Sequence, residues 1–181
     1  MDVITGIALA APAGLNAYIP LLTVAVAERL GWIVLREPFD LLGEWWVIAL
    51  ISVLLIIEIV ADKVPAVDSV NDALQTFVRP AAGGLLAVAA SGSGDIHPVL
   101  LVVVGVLMAG GVHAAKASAR PVINAASGGA AAPVASAAED VGALVMSVLA
   151  IVVPLLVVLA VFAFIFSAWW LVSRRRRDRT G

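Results

Sequence analysis

Two stretches of this chain run without a single charged side chain for longer than a bilayer is thick. They are Val3 to Ala27, 25 residues, and Val141 to Ser173, 33 residues. A helix that crosses the hydrocarbon core needs roughly 20 mostly apolar residues, so either stretch reaches. Composition points the same way: 62% of residues are hydrophobic and 13% charged, with a mean hydropathy of +1.09. A soluble domain is near half apolar and a quarter charged. A single soluble core of this size could not bury the excess, because small domains leave too much surface exposed. The expected fold is therefore all-α: a polytopic helical membrane protein with one transmembrane domain over 1–173 and a basic tail over 174–181.

The first stretch contains Pro12, Gly14 and Pro20. Proline removes a backbone donor and clashes one turn back, so this span is expected to be bent or broken in its middle. Met1 to Gly6 holds no Lys or Arg, whereas a secretory signal needs a positive n-region, so Val3 onward reads as mature membrane helix. Trp32, Trp45 and Trp46 punctuate a polar connection, and a second span runs from about Trp45 to Ala61. Val64 to Arg79 reads as an amphipathic helix opened by Pro65, and Pro80 to Ser91 as a short small-residue segment. The two form either one further span or a re-entrant hairpin. Ser91 to Asp95 is a turn. The next span runs from His97 to about Arg120. Pro121 to Ala138 is rich in Ala, Gly and Ser and suits either a flexible linker or close helix packing. Pro154 marks a kink in the last stretch.

Four spans with a re-entrant 65–91 put both termini inside, and five put the N-terminus outside. The eleven basic residues divide seven to four in either arrangement, so the positive-inside rule does not choose. The C-terminus is clearer. Trp169 and Trp170 precede Arg174, Arg175, Arg176, Arg177 and Arg179, which is the pattern of a cytoplasmic membrane exit. Beside a Trp pair, these arginines are expected to bind anionic headgroups, at ~1 kcal/mol per residue, rather than nucleic acid. An inner (cell) membrane location follows. A chain of four or five spans encloses little by itself, so a homo-oligomer is expected.

Residues 1–173 hold six basic and twelve acidic groups, several in or beside expected spans. An ionised side chain at a span's centre costs ~2.5–3.5 kcal/mol on the insertion scale. Glu58 and Asp62 are four apart and share a helix face, as do Asp68 and Asp72. Asn71 precedes Asp72, and Glu139 and Asp140 follow Ser136 by one turn. His113, Lys116 and Arg120 are spaced i, i+3, i+7 along one face, and Lys63 and Arg79 flank the Asp68/Asp72 helix. These acids and cations can build a buried network. They can equally pair structurally or cap helices, since Asp68 after Pro65 and Glu139 after Pro133 suit helix N-termini. Carboxylates with Asn16 and Asn71 would also suit a hard cation, which leaves a metal open, and the Lys116/Arg120 face would suit a phosphate or carboxylate. At the helix break of Gly14, Asn16, Tyr18 and Pro20, exposed amides and carbonyls could bind a substrate or ion.

Gly14-Leu15-Asn16-Ala17 echoes Gly111-Val112-His113-Ala114, and the Pro65, Asp68, Asp72 spacing echoes Pro133, Ser136, Asp140. An internal duplication would explain both, as would chance in an Ala- and Gly-rich chain. There is no P-loop, nucleophile elbow or zinc-protease signature, so no cofactor is expected and an enzyme is the less favoured class. With no cysteine, neither a disulfide nor a thiolate metal site can form.

The segments Gly14 to Leu22, Glu58-x3-Asp62-Lys63-x-Pro65-x2-Asp68-x2-Asn71-Asp72 and Arg79-Pro80-x2-Gly83 resemble a bacterial membrane family known as domain of unknown function 4126. So do His113-x2-Lys116-x3-Arg120 and Pro133-x2-Ser136-x2-Glu139-Asp140. The likeness covers about residues 5–155 and leaves the arginine tail outside. It implies a membrane fold and supports these motif residues, but brings no activity. The expected function is a small permease-like protein moving a small ion, solute or lipid-linked anion by proton or cation coupling. The alternatives are an accessory membrane protein whose ion pairs only hold helices together, and a membrane enzyme acting on lipid headgroups.

Overall fold

The computed structural model of the protein describes residues 2–61, 65–92, 96–128 and 131–177; side chains at 65–72, 121–124, 132, 165, 168 and 171–177 lie outside the described set. Seven α-helices account for most of it, and no strand occurs among the described residues: α1 (Val3–Ala13), α2 (Tyr18–Arg29), α3 (Trp45–Ala61), α4 (Pro65–Ala89), α5 (Pro98–Ser127), α6 (Ala132–Val152) and α7 (Pro154–Arg177). Asp2 opens α1 by accepting from the Thr5 backbone N–H at 2.8 Å and the Thr5 hydroxyl at 2.7 Å.

The small side chains of α1 let it occupy the middle of the bundle. Gly6 and Ala8 to Ala13 are buried, and the helix touches α2, α4, α5, α6 and α7. An ideal Cβ at Gly14 would fall on the Ala109 carbonyl of α5. The largest helix pair, α4 with α5, depends on the same device. A Cβ at Gly105 would fall on the Gly83 carbonyl, and one at Gly83 would lie 2.7 Å from the Gly105 carbonyl.

Two sequence expectations change here. The segment 65–91 does not fold back as a hairpin: α4 continues through Pro80 as one helix of 25 residues. The Pro80 ring faces Gly110 on α5, its Cγ lying 3.9 Å from where a Cβ at Gly110 would stand, an ordinary contact distance. Likewise α5 does not end near Arg120 but runs through Pro121 to Ser127, so the small-residue segment begins as helix. The echo between 14–17 and 111–114 does not extend to the backbone. The chain leaves the helix at Gly14 to Ala17, whereas α5 passes through 111–114 unbroken.

Between α2 and α3 lies a loop with a short 3-10 turn, Phe39–Gly43. Glu28 Oε2 accepts from the Leu35 N–H at 2.8 Å, and the Arg36 N–H donates to the Ala89 carbonyl at 2.9 Å, which fastens the loop to the end of α4. Arg29 lies over the Trp45 ring at 4.9 Å.

The outer surface is more apolar than that of a soluble domain, and a few charges lie buried beneath it. Of the 17 residues of α3, only Ile51 and Glu58 are buried. Apolar side chains such as Val103, Leu107, Leu144, Val148, Leu155 and Leu159 face outward on α5, α6 and α7, yet Arg79 is 0% and Glu58 2% exposed. Lys, Glu and Arg are almost never fully buried unless paired.

Candidate functional site

The site begins where the backbone runs short of hydrogen bonds. A helix that stops inside a protein leaves unpaired carbonyls at its C-terminal end and unpaired amides where the next helix starts. At the break between α1 and α2 several of them are taken up by named groups. Gly14 N–H returns to the Ala11 carbonyl, and Leu15 and Asn16 N–H both return to Pro12. The Asn16 side-chain oxygen accepts from the Tyr18 and Ile19 amides at 2.9 and 3.0 Å, which caps α2. The Leu15 carbonyl accepts from Lys116 Nζ of α5 at 3.1 Å, a cation placed where the end of α1 is negative.

From the break, two polar clusters spread. In the first, Asn16 Nδ2 donates to Asp140 Oδ1 of α6 at 2.9 Å. Lys116 Nζ meets Glu139 Oε2 at 2.7 Å, and Arg120 Nη2 reaches that same oxygen at 3.3 Å. The spacing explains the convergence: Lys116 and Arg120 are one turn apart on α5, and Glu139 and Asp140 are adjacent near the start of α6. Ser136, one turn earlier, is buried.

In the second cluster, Arg79 Nη2 of α4 pairs with Glu58 Oε1 of α3 at 3.2 Å, with both side chains 1% exposed. On its other side, Arg79 Nη1 lies 3.1 Å from His113 Nδ1. Arginine has no acceptor, so His113 Nδ1 accepts. The neutral ring then carries its proton on Nε2, which faces Thr76 Oγ1 at 3.4 Å. Tyr18 lies beside Gln75 and within the field of Glu58, and Arg79 lies within the field of Lys116. The two clusters are therefore electrostatically continuous. Arg79 Nε and Gln75 Oε1 are buried without a hydrogen-bond partner among the described residues.

A cavity of about 190 Å³ opens between α4 and α5, lined by Ala73, Thr76, His113, Lys116, Ala117 and Arg120. A second cavity, of about 290 Å³, has a wholly apolar lining that includes Leu15, Val112, Met146 and Phe164.

The residues singled out from the sequence divide as follows. Asn16, Tyr18, Glu58, Arg79, His113, Lys116, Arg120, Glu139 and Asp140 meet around the break. Gly14 and Pro20 are buried beside it. Asp68, Asn71 and Asp72 lie on α4, two to three turns before Arg79, with side chains outside the described set; Asp62 and Lys63 lie outside the described residues altogether. Sequence reasoning missed Gln75, Thr76 and the Leu15 carbonyl. Gln75 and Thr76 stand one turn before Arg79, and that spacing was the available signal. Among the described residues, no three His, Asp or Glu side chains come together as metal ligands.

A family model described as "Domain of unknown function (DUF4126)" matches residues 3–174. The likeness thus extends beyond residue 155, through α7 to Arg174. No curated protein and no solved structure matches the chain.

Proposed function

We propose that this chain, which belongs to the DUF4126 family, is an integral membrane protein of the permease kind. It moves a small ion, solute or lipid-linked anion through a charged internal cavity, coupled to protons or another cation. The observation that carries this reading is buried charge beneath an apolar outer surface. Arg79 and Glu58 are buried beside a helix break while α3, α5, α6 and α7 turn apolar side chains outward. Large contiguous apolar surface marks a membrane or partner face, and ionisable groups inside a bilayer mark substrate and proton pathways.

Dimensions favour the same reading. Pro98–Ser127 and Pro133–Val152 are each long and apolar enough to cross a membrane. At 1.5 Å per residue, α1 is about 16 Å long and α2 about 18 Å. Joined through their break they match a core of about 30 Å and place Asn16 near its middle. Broken helices at that depth are the usual ground for ion and substrate sites. Trp169 and Trp170 are exposed, and α7 carries them into Arg174–Arg177, which suits anchoring at a cytoplasmic, anionic surface of the inner membrane.

A structural role is the second reading, favoured by the sealed Glu58–Arg79 pair. Reconstitution separates the two. Purified protein is placed in liposomes holding a pH-sensitive dye, and proton flux is followed as phosphate, sulfate, acetate, amino acids or ammonium is added outside. The permease reading expects solute-dependent flux in the wild type and its loss in Asp140→Asn at an unchanged melting temperature. Absence of flux with every solute, or equal flux in wild type and variant, rejects it.

A further inference from the structure

We infer that Lys116 is the group that takes up and releases the coupling proton, and that its charge fastens the break between α1 and α2. The inference rests on the permease reading and names the proton-binding site within it.

The contacts of Lys116 single it out. Its side chain is 4% exposed, and the ammonium meets two oxygens of different kinds. One is the neutral Leu15 carbonyl at the end of α1, at 3.1 Å. The other is the carboxylate oxygen Glu139 Oε2 on α6, at 2.7 Å. The break, α5 and α6 therefore meet on one nitrogen, and the charge of that nitrogen decides how firmly they are held. A hydrogen bond from an ionised donor is roughly twice as strong as a neutral one. Loss of the proton breaks one N–H bond and leaves its electron pair on Nζ. The proton passes to solvent in the cavity between α4 and α5, which Lys116 lines. The amine still reaches the Leu15 carbonyl, but as a neutral donor, and its ion pair with Glu139 is gone.

The neighbouring charges differ in what a change of protonation would cost. Arg120 on α5 and Arg79 on α4 keep their protons, because a guanidinium is not deprotonated in proteins. Glu58 on α3 pairs with Arg79 where both side chains are 1% exposed. A proton there would leave a buried arginine without its carboxylate, the costly case of a broken buried pair. Glu139 on α6 serves two cations, Lys116 and Arg120, so a proton there weakens both bonds at once. The reverse does not hold: when Lys116 gives up its proton, Glu139 still has Arg120 at 3.3 Å. A buried lysine, unlike an arginine, readily works as a proton donor and acceptor. The other titratable groups of the two clusters, among the described residues, are Asp140, held by Asn16 Nδ2, His113, held by Arg79, and Tyr18 beside Gln75. Among the described contacts, Lys116 is the one that joins the backbone of the break to a carboxylate.

The chain holds two lysines, Lys63 and Lys116, which makes the test spectroscopic. Purified protein carrying carbon-13 at the lysine ε-carbon gives two NMR signals in detergent, and Lys63→Arg identifies the one from Lys116. That signal is expected to move with pH across about pH 5 to 8, the physiological span. A Lys116 signal that stays fixed over that span overturns the inference. Lys116→Arg keeps the charge and the donors but cannot release a proton. In liposomes it is expected to remain folded and to lose the solute-driven proton flux of the wild type. Flux at the wild-type level in folded Lys116→Arg also overturns the inference. If Lys116→Arg does not fold, the Lys116 signal decides alone. A moving signal in a wild type that shows no flux with any solute would leave the proton site standing and remove the permease reading. Flux with a fixed Lys116 signal would do the reverse and place the proton on another group.

Discussion

Lys116 Nζ donates to the main-chain carbonyl of Leu15 at 3.1 Å, tying together positions 101 residues apart. A carbonyl at a buried helix end needs such a partner, and in lipid no water can stand in for it. Lys116→Met keeps the length of the stem but strands both the Leu15 carbonyl and part of the charge on Glu139. A hydrogen bond to a charged group contributes ~1.5–3 kcal/mol. Thermal unfolding in detergent should show a loss of that order for Lys116→Met. An unchanged melting temperature would mean that the break does not depend on this cation.

Asn16 acts through both ends of its amide, capping α2 with its oxygen and holding Asp140 with its nitrogen. Asn16→Ala should cost ~0.5–2 kcal/mol, the range for a lost cap. Asn16→Asp keeps the capping oxygen but sets a second carboxyl group against Asp140. Two such groups cannot both ionise at hydrogen-bond distance without strong repulsion. That variant should therefore melt at progressively lower temperature as pH rises through the carboxylate range. A flat profile would place Asp140 away from Asn16.

For the sealed Glu58–Arg79 pair, removing one partner leaves the other buried and uncompensated, at ~3–5 kcal/mol, while replacing both with apolar residues is often near neutral. Glu58→Leu alone should be severely destabilised, and Glu58→Leu with Arg79→Met should recover most of the loss. Additive losses in the double variant would show that Arg79 is held mainly by something other than Glu58.

The glycines of the α4–α5 contact give a steric prediction with its own control. Gly105→Ala drives a methyl into the Gly83 carbonyl and should cost ~1–3 kcal/mol, the range for overpacking. Gly110→Ala meets nothing nearer than the Pro80 ring, 3.9 Å away, and should gain up to ~1 kcal/mol from helix propensity. Equal effects at the two positions would contradict the packing described.

At the N-terminus, the Thr5 amide first and the Thr5 hydroxyl second hold the Asp2 carboxyl below its usual range. A group lowered in the folded state stabilises above its unfolded value and loses that contribution as pH falls through its folded one. The melting-temperature gap between wild type and Asp2→Ala should thus be present at neutral pH and close on acidification. A gap that persists below the carboxylate range would assign it to something other than the ionised cap.

Much of the site could be read from spacing alone. His113, Lys116 and Arg120 at i, i+3, i+7 must share a face wherever the helix lies, and Glu139 and Asp140 meet them because α6 begins shortly after α5 ends. The carbonyl of Leu15 could not be read, because a backbone acceptor leaves no trace in residue identity. Gln75 and Thr76 are neutral, and on an amphipathic helix they look like ordinary surface; only the approach of Tyr18 and His113 gives them a role. Pro80 and Pro121 look like breakers, yet both lie within helices. Pro80 packs against the neighbouring helix at Gly110, and a single-chain pattern does not show which residue faces which.

The absence of cysteine in this chain permits one direct test of the central claim, that a polar, water-filled cavity opens between α4 and α5 of a lipid-facing bundle. Ala117→Cys lines the cavity, and Leu107→Cys, on the same helix, lies at a position whose side chain is 69% exposed. A small charged thiol reagent applied to membranes containing each variant should modify Ala117→Cys and leave Leu107→Cys intact because lipid excludes the reagent. Rapid modification of Leu107→Cys with Ala117→Cys inert would contradict the account.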